Sequence, residues 1–138
     1  MVLQQRAAAG RLKHEANTYA RAEDLSYEGL AAFLPKNIPE LDDAWSKLTL
    51  IPPQAIEPLE QVRYLVRLSL QSVERIPVGR EASPSTDESK EQARQLRAGM
   101  TELLQENYKK IADACEKLDQ PLENEISRLY SKITPVKK

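Results

Sequence analysis

Residues 58–76, PLEQVRYLVRLSLQSVERI, carry the densest apolar face in the chain. Leu59, Val62, Val66, Val73 and Ile76 recur at three- and four-residue steps with Ser69 as the one polar rung, and Leu65, Leu68 and Leu70 widen the stripe. A face this wide predicts a helix covered on more than one side. A longer pattern starts at Ser85 and Glu88, which have the spacing of a capping box, and predicts a helix to about Leu118. Its ladder has two phases. Ala93, Leu96, Met100 and Leu103 form the first, and Leu104, Tyr108, Ile111, Cys115 and Leu118 form a second, displaced by one residue. The second continues as Leu122 and Leu129, with Ile126 beside it. Such a stutter implies a seam that changes face or meets different neighbours along its length. Pro121 removes a backbone donor, which predicts a kink or break near Asp119–Gln120. The segment 121–133 then either continues the helix or folds back.

Three weaker helical patterns precede these. Residues 2–22 are strong helix formers interrupted by Gly10, with Leu3, Ala7, Ala16, Tyr19 and Ala20 giving a narrow, small apolar face. Asp24 or Ser26 can cap a short helix ending near Leu34, where Leu25, Tyr27, Leu30, Phe33 and Leu34 are candidates for burial and Pro35 marks the stop. Asn37-Ile38-Pro39-Glu40 has the form of another capping box, predicting a helix over about 38–48 with Leu41, Ala44, Trp45 and Leu48 on one face. Leu50-Ile51-Pro52-Pro53 reads as an extended connector, and Pro58 opens the central helix in its first turn. The stretch 77–89, rich in Pro, Gly, Ser and charge, reads as a mobile internal linker within a single domain spanning 1–138. The first helix is too poor in large side chains to cover the central one. Its cover is expected from the Trp45 helix and one phase of the long helix, which leaves the other phase free.

Composition agrees with this pattern. The chain has 41% hydrophobic and 30% charged residues, four glycines and one phenylalanine, which suits helices and lacks the turn glycines and aromatic faces of sheets. The fold class expected is all-α, a bundle of four to six helices with a long, kinked, coiled-coil-like C-terminal helix. Twenty basic against 21 acidic residues give a net charge of −1, so no global field draws in nucleic acid or an anionic membrane. No stretch approaches the roughly 18 apolar residues of a membrane span, and residues 1–20 lack the apolar core of a signal peptide. The single thiol, Cys115, has no intramolecular disulfide partner and fits a reducing compartment. An intracellular chain, cytoplasmic or nuclear, is expected.

Catalytic chemistry has little to work with. His14 is the only histidine and has no second histidine at zinc-protease spacing, the glycines are isolated, and the acidic pairs Glu40/Asp42/Asp43 and Glu123/Glu125 sit where helix first turns ordinarily carry acid. The same carboxylates argue against a DNA-reading helix pair, since they would face phosphates at the N-terminus of the second helix. No enzyme activity, cofactor or metal is expected. The function expected is a non-catalytic protein–protein interaction subunit or domain of a larger assembly, a hetero- or homo-oligomer, docking through amphipathic helices. Interface candidates are Trp45, Leu96, Met100, Leu103, Leu104, Tyr108, Ile111, Leu118, Leu122, Ile126 and Leu129. One alternative is a nucleic-acid accessory module using the basic face Arg6, Arg11, Lys13 and Arg21, and another is a lipid- or small-molecule-binding bundle. Ser83 and Thr134, each followed by proline, are phosphorylation candidates.

Overall fold

A computed structural model describes residues 2–75 and 87–133, and the elements follow the helical patterns closely enough that the differences are informative. The elements are α1 (Val2–Ala20), α2 (Tyr27–Ala32), α3 (Pro39–Ser46), a 3-10 turn at Leu48–Leu50, α4 (Pro53–Arg75) and α5 (Asp87–Ile133). No strand occurs among the described residues. The all-α bundle with a long C-terminal helix is therefore observed. Ile76 and residues 77–86 of the expected linker, with Ser83 and the cap residue Ser85, lie outside the described residues, as does Thr134. Residues 87–89 belong to α5.

α5 is the spine. At about 1.5 Å per residue its 47 residues span roughly 70 Å. α1 runs antiparallel along it: Arg6 pairs with Asp119 at 2.9 Å, and the Gln105 amide donates to the carbonyls of Tyr19 (3.3 Å) and Ala22 (2.6 Å). α4 is antiparallel on another side, with Gln54 and Pro58 near Lys117 and Val73 near Met100. α2 closes over the middle of α5, where the buried Tyr108 hydroxyl donates to the Leu30 carbonyl at 2.6 Å. α3 ties α1 to α4 through Arg11–Glu40 (3.2 Å) and Arg63–Asp42 (3.0 Å).

The core is the second phase of α5, Leu104, Tyr108, Ile111, Cys115, Leu118 and Leu122, set against Leu59, Val62 and Val66 of α4 and Leu12 and Ala16 of α1. The central helix is thus a core element, as its ladder implies. Its polar rung Ser69 is fully buried, and its hydroxyl donates back to the Leu65 carbonyl at 2.8 Å, so the rung does not break the face.

α1 lies against α5, and among the described elements this is the most extensive packing, because Ala8, Ala9 and Ala16 let two helices approach closely without large side chains. Four expectations need correction. The inward face of α1 is rotated from the one the large residues suggest, for Leu3 is 62% exposed and Ala7 is exposed while Val2, Gln5, Ala8 and Leu12 point inward. α4 begins at Pro53, five residues before Pro58. Pro53 takes the first helical position, where a missing N–H costs nothing, and the Ala55 N–H donates to the Pro52 carbonyl at 2.9 Å. The capping box at Asn37 does not form; Ile38 is the cap residue with no side-chain bond, and Glu40 turns to Arg11 instead. Finally, α5 is helical through Pro121, so no break occurs near Asp119–Gln120, and of the two courses open to the segment 121–133 it takes continuation of the helix.

Candidate docking surface

The stutter in α5 decides what remains uncovered. Where the second phase faces α1 and α4, the first phase points away: Leu96 is 65% exposed and Leu103 68% exposed, with Met100 half-buried between them. Beside Met100 and Leu103, α4 offers the half-buried Val73, and one turn before Ser72 of the same groove Leu68 is 37% exposed. Val73, Met100, Leu103 and Leu104, with Tyr27 and Asn107, line an open groove of about 170 Å³. The seam runs off the bundle. From Asp87 to Leu96 every described side chain is exposed except the half-buried Ala93, so this end of α5 stands clear of the other helices. At the far end Leu129 and Tyr130 are exposed as well.

The interface candidates therefore divide into three groups. Leu104, Tyr108, Ile111, Leu118 and Leu122 are buried inside the chain itself. Trp45, Met100 and Ile126 are half-buried, Trp45 with the Arg63 guanidinium 5.0 Å above its ring. Leu96, Leu103 and Leu129 are free to meet a partner. Sequence reasoning missed Tyr64, 58% exposed on the outer face of α4, and took Leu68 as part of the buried stripe. Tyr64 lies off the central ladder, which was the available signal.

Two of the four cations on the basic face of α1 are ion-paired. Arg6 meets Asp119 and, at 3.8 Å, Glu123, and the Asp119 hydrogen bond holds the Arg6 guanidinium above its ordinary range. Arg11 is held by Glu40, and Lys13 is half-buried. Only Arg21 of the four is exposed and without an ion pair among the described residues. Burial pushes the Cys115 thiol up to about 12, so it stays protonated at neutral pH. Burial likewise raises the Tyr108 phenol. The described residues include no group of three or more His, Cys, Asp or Glu able to hold a metal ion, and no described helix is long and apolar enough to cross a membrane. The chain matches no family model, no curated protein and no solved structure.

Proposed function

We propose that this chain is a non-catalytic interaction subunit or domain of a larger intracellular assembly, cytoplasmic or nuclear, and that it docks through the uncovered half of α5. The observation that carries this reading is the first-phase ladder, in which Leu96 and Leu103 are exposed seven residues apart, with half-buried Met100 between them, on a helix whose Asp87–Leu96 end is exposed. Such a repeat is what a second helix packs against. Covering Leu96 and Leu103, each about two-thirds exposed, recovers roughly 2–4 kcal/mol of hydrophobic free energy, one part of what a helix partner must supply against the cost of association. Ion pairing of Arg6 and Arg11 weakens the basic face on which the nucleic-acid reading rests, and the net charge of −1 supplies no wider field to replace it. The grooves are open rather than enclosed, which gives a lipid or small molecule little to be buried in.

A photo-crosslinking amino acid placed at Leu103, and separately at the exposed Glu116, tests this in the cells that make the protein. Discrete crosslinked protein bands from position 103 and none from position 116 are expected. Equal crosslinking from both, or none from 103, would remove the seam as a docking surface.

A further inference from the structure

A separate cleft lies between the α2–α3 connection and α4, about 260 Å³ in volume, with a floor of Ile38, Leu41, Val66 and Leu70. Its rim is basic. Lys36, Arg63 and Arg67 line it against the single carboxylate of Asp42, in a chain whose net charge is −1. Arg63 is fixed by its Nε–Asp42 bond of 3.0 Å and by Trp45 beneath its guanidinium. Lys36 and Arg67 are exposed and make no ion pair among the described residues.

We infer that this cleft binds an acidic peptide segment of a partner protein, one that presents a large apolar side chain flanked by carboxylates. The volume is below the ~300 Å³ at which small-molecule pockets begin, and suits a side chain inserted from an extended or helical segment. The apolar floor gives that side chain its burial. The cations on the rim meet the flanking carboxylates, with Arg63 already oriented and therefore losing little freedom on binding. A nucleic acid would satisfy the rim and leave the floor uncovered, which is why a peptide is favoured. The cleft shares no residue with the α5 seam, so this inference goes beyond the proposed docking and either can fail alone.

Selection of a displayed random-peptide library on the full chain, with counter-selection on Lys36→Glu/Arg67→Glu, tests it. Enriched peptides are expected to carry Asp or Glu on both sides of a Leu, Phe or Trp. Their binding should weaken about tenfold or more in the double variant, fall with added salt, and survive Leu103→Glu. Replacing the carboxylates of a selected peptide by lysine should restore binding to the double variant. Peptides without acidic residues, equal binding to both proteins, or displacement of the peptide by an oligothymidylate at comparable concentration would overturn the inference.

Discussion

Gln5 offers the sharpest energetic test of how α1 is seated. Its side chain is fully buried in the α1 face, and neither Nε2 nor Oε1 has a hydrogen-bond partner among the described residues. A buried polar group left unsatisfied costs about 1–3 kcal/mol. Methionine is similarly unbranched and of similar length, and it removes both polar atoms while keeping the contacts, so Gln5→Met should stabilise the fold. Counting one group rather than two, to allow for imperfect packing of the thioether, the gain is about 1–3 kcal/mol. For a chain of this size that corresponds to roughly 4 °C in Tm per kcal/mol. Urea unfolding followed by far-UV circular dichroism gives the free energy, with an unchanged m-value as the check that only stability moved. Gln4→Met, at an exposed neighbour, is the control and should stay within about 0.5 kcal/mol of the parent. Equal or reduced stability in Gln5→Met beside a neutral control would refute the reasoning, because the Gln5 amide would then be paired in solution and α1 seated differently.

Pro121→Ala restores the amide that α5 lacks toward the Lys117 carbonyl and removes the ring clash, so it should raise stability by about 1–3 kcal/mol in the same urea assay. Gly10→Ala adds a methyl into open space on α1, where nothing lies within 4 Å of the new Cβ, and should add about 0.5–1 kcal/mol. Cys115 should resist a thiol reagent at neutral pH until the helices part, so its labelling rate should track global or subglobal unfolding. The native thiol near 12 against 9.0 when unfolded favours the folded state only below the unfolded value. Its contribution is therefore full below about pH 9 and is lost as pH rises toward 12, a loss that Cys115→Ala should not show.

The large apolar ladders were legible because a buried leucine or valine leaves a periodic trace. Leu59, Val62 and Val66 in α4, and Leu104 through Leu122 in α5, lie where their spacing put them. The phase change at Leu103–Leu104 also carried over, separating exposed from buried rungs along one helix. α1 was harder to read because alanine is nearly neutral in such patterns. Its contribution is close helix approach rather than side-chain bulk, and the buried Gln5 hides the ladder further. The two proline positions misled for a shared reason: local backbone cost was weighed without the packing that offsets it. Pro58 sits inside α4 and Pro121 inside α5, each helix held across the gap by buried neighbours such as Leu59 and Leu122. Of the candidate interface, period alone separates the two phases without saying which one the chain buries itself, so rungs of both phases stood as interface candidates.

The central claim is that the exposed rungs of α5 hold this chain in an assembly. The most direct measurement is the native size of the protein in a gentle extract of its own cells, taken for the parent and for Leu96→Glu/Leu103→Glu. Both positions are exposed, so the double variant should keep the parent's helicity and unfolding free energy to within about 1 kcal/mol. The parent is expected to migrate well above its own mass, and the variant, equally folded, as the free chain. A parent that migrates as a monomer, or a variant that remains in the larger species, would contradict it.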